Sequence, residues 1–325
     1  QATVPVYTGG RISAAVAAAD TGLRASAFER TRTEQAVKLD VAEAYLNVLR
    51  ARRARAAAER HLAALDAHAL DVSALAGQGL VARNDVLSVA VARADARQRL
   101  TQAGNAADLA AAAYNRLMGR GLDEAVELAE PPDPAPGRDD IAVLSARARE
   151  RRPEMALLGA RAEATDREAD MERAGLRPQV GLTGAVMHED NRYRVSQDVA
   201  SLSVGLQWEI FDGGVHRQRA DAASSRARAA RERQADAATY IDLEVRREWL
   251  AVDEAAQRRD TTAAALGQAD ENLRVARDRY RNGVGTQTEV LDAEALRTLT
   301  DSNHLNAYYD LHGARYHLKK AVGEL

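Results

Sequence analysis

The sequence predicts a mainly α chain, built of long coiled-coil helical hairpins in tandem duplication, with paired β-strands between the two copies. Three observations carry this. The stretch Y-R-N-G-V-G-T-Q-T-E-V-L-D-A at 280–293 has a near-copy, A-G-Q-G-L-V-A-R-N-D-V-L-S-V, at 76–89. Gly79 aligns with Gly283, Val86 with Val290 and Leu87 with Leu291, at a constant offset of 204. Apolar residues at Leu62, Leu65, Ala69, Val72 and Ala76 step by three and four, the coiled-coil period, and Leu266, Ala269, Leu273, Ala276 and Tyr280 keep that register. Finally, 179–186 and 201–210 alternate apolar and polar with a period of two, the strand signature.

Composition bounds the function. With 325 residues and a formal net charge of −3, the chain has neither a nucleic-acid-binding charge excess nor an acidic tail. Aromatics at 4 % against 29 % charged residues suit long helices better than a compact aromatic core. The lack of cysteine removes disulfides and thiolate metal sites. No apolar run reaches the roughly 18 residues of a transmembrane helix, and no signal peptide is visible at Gln1.

The duplication extends well beyond the two tips. Gly9 and Gly10 fall on Gly213 and Gly214, Tyr7 on Phe211, and Gly119 on Gly323. Leu39, Leu46, Leu62 and Asp66 fall on identical residues, within roughly 20 identities over about 115 ungapped positions. The copies are read as 7–119 and 211–323. A Pro-rich linker, a helical pattern and a strand pair lead into the second copy, whereas eight residues lead into the first. About 65 residues, a helix and most of a strand pair, are therefore expected to precede Gln1.

In chain order, Val4 to Tyr7 reads as the end of a strand. Arg11 to about Ala76 is helical and free of Pro, about 100 Å long at 1.5 Å per residue. Its Arg, Asp, Glu and Gln faces suit water, so an ordinary solvated coiled coil has the same pattern. The run Arg50, Arg52, Arg53 and Arg55 reads as part of such a solvated face. A shorter helix follows from Asp85 to Gly119, with Asn84 or Asp85 as its N-cap. Its twin runs from about Thr288 to Gly323, with Glu289 and Asp292 in or near the first turn, where carboxylates complement the helix dipole. Residues 120–138 form a loop by Pro and Gly content, and 139–174 is helical with a break near Pro153. In the strands, Val180, Leu182, Gly184, Val186, Leu202, Val204, Leu206, Trp208 and Ile210 share an apolar face, and a polar loop runs from His188 to Asp198. A soluble sheet packed on a core gives this alternation, and so does a membrane-barrel strand of about 10 residues. On the strands alone the soluble sheet is the simpler reading, although Trp208 and Phe211 sit where a membrane-edge girdle would.

The order of strand pair, long helix, tip and short helix, then the same again, resembles the TolC family of outer-membrane efflux proteins. The tips at 79–86 and 283–293 and the joints Y-T-G-G at 7–10 and F-D-G-G at 211–214 carry the resemblance, which covers nearly the whole chain. It implies a fold that is mainly α with membrane β-strands: a homotrimer whose single β-barrel continues into a helical tunnel, a trimeric α/β-barrel. It implies a first structural repeat at 1–119, an equatorial linker at 120–138, a helix leading to the barrel at 139–177, an outer-membrane strand pair at 178–211 and a second repeat at 212–325. Gly9, Gly10, Gly213 and Gly214 become strand–helix joints. Glu289, Asp292, Tyr280 and Asp85 become the periplasmic gate and constriction. Gly79, Leu80, Val81, Ala82, Gly283, Val284, Gly285 and Thr286 become tips that meet a periplasmic adaptor. Gly285 departs from the pattern, since the best-known member has an Arg of the closing network there. The implied function is an outer-membrane exit duct of a tripartite efflux pump or type I secretion system in a Gram-negative bacterium. Its implied partners are a periplasmic adaptor protein, an inner-membrane transporter of RND, ABC or MFS type and outer-membrane lipid, with no nucleic acid and no cofactor.

No catalytic constellation stands out. His61 and His68 lie seven apart on one helix face, but no Cys or carboxylate completes a metal site, so they read as surface histidines, as do His312 and His317. There is no P-loop or Rossmann glycine pattern, and no enzyme is expected. Two other classes stay open. A periplasmic adaptor (membrane fusion protein) would need flanking lipoyl-like and small β-barrel domains. A structural coiled-coil protein would need neither alternating strands nor glycine joints.

Overall fold

The structure is a computed structural model that describes residues 1–133, 139–190, 192–193 and 195–325. Positions 134–138 of the expected linker, and 191 and 194 of the expected polar loop, lie outside the described residues. The elements are β1 (Ala2–Tyr7), α1 (Arg11–Gly77), α2 (Arg83–Leu117), α3 (Ile141–Arg151), α4 (Pro153–Ala174), β2 (Gln179–His188), β3 (Asp198–Gln207), α5 (Val215–Arg281) and α6 (Gln287–Val322).

The duplication is carried by the backbone. Helices α1 and α5 are both 67 residues long and begin and end at the same offset of 204. The described glycines with positive φ fall into four pairs at that offset: Gly9 with Gly213, Gly10 with Gly214, Gly79 with Gly283 and Gly119 with Gly323. An interhelical ion pair is duplicated too, Asp66 with Arg93 at 2.6 Å and Asp270 with Arg297 at 2.9 Å.

The chain forms two compact units, 1–34 with 149–243, and 35–148 with 244–325. In the first, an antiparallel sheet of order β1-β2-β3 is built in a register that sorts its faces. Val4, Leu182 and Val204 align across the three strands, and Val180 faces Leu206. On the opposite face Thr3, Thr183 and Ser203 align, and Gln179 faces Gln207. Leu202, Val204 and Leu206 are 75 %, 73 % and 69 % exposed. A soluble sheet would bury this apolar face on a core, so the soluble-sheet reading is corrected: the alternation is real, but the chain leaves the face uncovered. Trp208 and Ile210 lie beyond the end of β3, and the Trp208 indole N–H donates to the Leu176 carbonyl at 3.3 Å. Beside the sheet, α4 packs Leu157 and Ala160 on Ala25 and Phe28 of α1, flanked by an Arg24–Glu163 ion pair at 2.9 Å. Pro153 opens α4 at its first position, where a missing N–H costs nothing.

In the second unit the small seam residues let helices approach closely. Leu46 and Leu49 of α1 pack on Tyr309 of α6, and Val252 and Ala255 of α5 pack on Leu311. The arginine run is not simply a solvated face. Arg52 donates to the Val126 carbonyl and Arg53 pairs with Glu130 at 2.8 Å, so both clamp the segment that follows α2. Tyr309 adds a hydrogen bond to Glu130 at 3.0 Å, and the buried Asn115 amide donates to the Glu124 carbonyl at 2.8 Å.

Candidate functional site

Both hairpin tips close in the same way, for the same reason. After α1, Gly79 takes φ +74° and donates to Ala76 O at 3.0 Å, while Leu80 N donates to Leu75 O at 3.0 Å. After α5, Gly283 takes φ +72° and donates to Tyr280 O at 3.0 Å, while Val284 N donates to Arg279 O at 3.0 Å. This is the left-handed glycine stop, which satisfies the last helical carbonyls where a side chain would be strained.

Gly285 has a separate steric reason. A Cβ there would lie 2.9 Å from Arg279 Cβ and 3.0 Å from Tyr280 N, so an Arg does not fit without moving the end of α5. The cation at this tip comes from Arg279 instead. Its guanidinium donates to the Val284 carbonyl at 3.2 Å and lies 3.6 Å from the Glu289 carboxylate.

The next helices start differently in the two copies. Thr286 caps α6, its hydroxyl accepting from Glu289 N at 3.2 Å. At the equivalent position α2 begins after Ala82, with extended φ/ψ but no side-chain cap. The expected Asn84 or Asp85 cap is therefore corrected: both lie within the helix, whose cap position is Ala82, two residues before Asn84. Thr286→Ala is expected to cost about 1 kcal/mol and Ala82→Thr to gain up to about 1 kcal/mol. Denaturant midpoints of the two variants check this, and no shift in either would remove the cap from the account.

Beneath the tips all four helices meet. Val72 of α1, Val89 of α2, Leu273, Ala276 and Tyr280 of α5, and Val290 and Ala293 of α6 form one buried cluster, with Val81 and Val86 packed against it. Tyr280 is 7 % exposed and lies edge-on to His68, with ring centroids 5.6 Å apart. Burial, and then the negative charge of Asp85, push the Tyr280 phenol above its ordinary value. Asp85 thus acts on Tyr280 through its charge, while the buried Tyr280 hydroxyl has no hydrogen-bond partner among the described residues. Glu289 and Asp292 are both exposed, one turn apart on α6. Of the tip residues, Leu80 and Val284 are 67 % and 68 % exposed, Val81 turns inward, and Thr286 serves the helix start.

Three of the four histidines expected at the surface are not surface residues, while the His317 side chain stays 42 % exposed beside Glu43. His68 is buried and hydrogen-bonds Gln287 Oε1 at 3.0 Å. His61 bonds Thr298 at 3.1 Å and lies 3.7 Å from buried Glu294, which also pairs with Arg277. His312 is buried against Tyr308. Their heptad spacing was the available signal, since it puts them on the helix–helix seam. Among the described residues no group of His, Asp or Glu side chains is arranged to hold a metal ion. The glycine joints form a separate site in the first unit. Arg177 Nη1 donates to the Gly9 carbonyl at 3.0 Å, and the Asp212 carboxylate caps the N–H of Gly214 at 2.8 Å and of His216 at 2.6 Å. Those backbone donors hold the Asp212 carboxyl below its ordinary value.

Sheet, glycine joints and duplicated hairpins define one fold, in which short strands turn at paired glycines into long helical hairpins. The family model of the outer membrane efflux protein matches residues 144–324, and the chain belongs to that family. Its role is that of an outer-membrane efflux duct with a large periplasmic helical part. The family is one of transport rather than catalysis. The fold is that of solved channels. VceC from Vibrio cholerae superposes with a TM-score of 0.84 at 21 % identity, covering 99 % of this chain and 78 % of that one. CusC gives 0.88 at 18 % identity, covering 99 % and 76 %. The open state of MtrE from Neisseria gonorrhoeae gives 0.81 at 20 %, covering 97 % and 72 %. No curated protein matches the chain.

Proposed function

We propose that copies of this chain form a homotrimeric tunnel gated at its hairpin tips. The observation that carries this reading is the uncovered apolar face of β1, β2 and β3. In lipid such a face is solvated, but the open edges of the sheet are not, and only closure with neighbouring strands satisfies them. The polar face of Thr3, Thr183, Ser203, Gln179 and Gln207 then lines water. Gly9, Gly10, Gly213 and Gly214 turn each strand into its helix. The repeats at 1–119 and 212–325, joined by the linker at 120–138, the helix at 139–177 and the strand pair at 178–211, are the working parts of one protomer.

At the other end, Glu289 and Asp292 ring the entrance, about six carboxylates in a trimer, favouring cations over anions. Tyr280 and Asp85 hold the hairpins together in the closed state. Gly79, Leu80, Val81, Ala82, Gly283, Val284, Gly285 and Thr286 form the docking surface for a periplasmic adaptor. Leu80 and Val284 offer apolar contact that no core claims. An inner-membrane transporter of RND, ABC or MFS type supplies the energy. The test is single-channel conductance of the full-length protein in a planar bilayer. Small, cation-selective steps are expected, and Glu289→Gln with Asp292→Asn should lower the cation-to-anion permeability ratio by about tenfold, the scale on which a charged cleft concentrates counter-ions. An unchanged ratio would remove these carboxylates from the constriction.

A further inference from the structure

One buried polar contact joins the first hairpin to the second beneath the tips. His68, on α1, is 6 % exposed, and Gln287, the first residue of α6, is 4 % exposed. Their side chains are 3.0 Å apart. The same imidazole meets Tyr280 of α5 edge-on, at 5.6 Å between ring centroids and 66° between planes. His68 thus touches both helices of the second hairpin from the long helix of the first. Beside it is a cavity of about 80 Å³, lined by Ala64, Ala67, Asp71, Arg277, Tyr280 and Arg281, with room for more than one water molecule.

We propose that His68 is a positioning residue of the gate: while neutral it fastens the second hairpin to the first, and on protonation in acid it releases the tips. The proposal rests on the tip-gate reading given above.

The geometry fits a neutral ring. With Nε2–H donating to Gln287 Oε1, Nδ1 carries no proton and has no hydrogen-bond partner among the described residues. Protonation adds a donor at Nδ1 and a charge to a buried seam, and both need water or a counter-charge to be tolerated. The charged groups around it do not supply a clear counter-charge. On α1, Asp71 faces it but is paired with Arg281 of α5 at 3.1 Å. Arg277 of α5 opposes protonation. Glu294 of α6 favours it, yet is engaged by Arg277 and lies near His61. On α2, Asp85 acts on Tyr280 rather than on His68. Burial, which outweighs the Gln287 hydrogen bond, together with Arg277, holds the His68 imidazole below its ordinary value.

The sign follows. The closed packing is fully favoured above the ordinary imidazole value near 6.5, and weakens as pH falls below it, because the loosened state binds the extra proton. Each pH unit in that window shifts the closed-to-open ratio by up to about tenfold per protomer. Acid therefore opens the tips.

The experiment is planar-bilayer recording on the full-length trimer at about pH 7.5 and about pH 5.5, spanning the imidazole range. Wild type should open about tenfold more often at the lower pH. His68→Gln, which keeps a neutral hydrogen-bonding side chain, should be flat within about twofold. Hydrogen exchange of the segments 62–77 and 273–294, corrected for intrinsic rates, gives a second readout that needs no current. It should quicken in acid for wild type only. His68→Asn serves if the Gln variant fails to assemble. A pH response of equal size in wild type and in these variants overturns the role of His68, as does a flat wild type. The Glu289→Gln, Asp292→Asn pair separates the two readings. If it alters selectivity while His68→Gln changes nothing, the tip gate stands and the His68 latch falls. If selectivity is unmoved but the pH response vanishes in His68→Gln, the carboxylate ring falls and the latch stands.

Discussion

Arg277→Ala is expected to destabilise the packing beneath the tips by about 3–5 kcal/mol, the cost of leaving a buried charge without its partner. Glu294 is 3 % exposed, about two turns into α6, and its carboxylate is held by Arg277 from α5, with His61 of α1 at 3.7 Å. Burial pushes the Glu294 carboxyl up, but nearby His61 and the charge and hydrogen bond of Arg277 outweigh it, and the group sits below its ordinary value. In wild type this contribution is present above the ordinary carboxylate range and is lost as pH falls through the depressed value. Without Arg277 the desolvation is no longer offset, so the loss begins at a higher pH. A domain is stable by roughly 5–15 kcal/mol in total, so the loss is large enough to read in a denaturant or thermal midpoint. The double variant Arg277→Met with Glu294→Leu should regain about 2 kcal/mol or more, because neither charge is then buried alone. A loss below about 0.5 kcal/mol in Arg277→Ala would mean that water reaches Glu294, and the buried pair would have to be abandoned as a feature of this seam.

Much of this architecture was legible because glycine and the coiled-coil seam obey local rules. The 204-residue offset follows from glycines whose φ is positive in both copies, and few other residues accept that geometry. The step of Leu65, Val72, Leu273 and Ala276 gave the buried face directly. What stayed hidden depended on partners distant in sequence. Alternation in β2 and β3 is the same whether or not a core covers the apolar face, so only the fold could tell a soluble sheet from one left bare. Arg52 and Arg53 look solvated until the segment at 126–130 is laid across them. His61 and His68 were placed on one face correctly, but nothing local says that this face meets Gln287 and Thr298 of another hairpin. One interhelical pair was within reach. Asp66 and Arg93 are 27 apart, as are Asp270 and Arg297, and a charge pair preserved at equal spacing in two copies marks a contact across a hairpin.

The strand–helix joints supply the other large effect, as a difference between copies. Gly9 and Gly213 have the same φ, +67°, so an alanine at either pays the left-handed strain of about 1–2 kcal/mol. Their surroundings differ. A Cβ on Gly9 would lie 2.7 Å from the Ala174 carbonyl oxygen and 2.9 Å from Arg177 Cβ, whereas nothing lies within 4 Å of one on Gly213. Nor is the obstacle free to retreat. The Ala174 carbonyl accepts from Arg177 N at 3.1 Å, and the Arg177 guanidinium donates to the Gly9 carbonyl at 3.0 Å, so moving one breaks the others. Overpacking of this kind adds about 1–3 kcal/mol. Gly9→Ala should therefore cost about 3 kcal/mol or more and Gly213→Ala about 1–2 kcal/mol, compared as unfolding midpoints of the full-length protein in detergent. Equal costs would show that the joint at Gly9 yields around a side chain, and that its glycine is required by backbone angle alone.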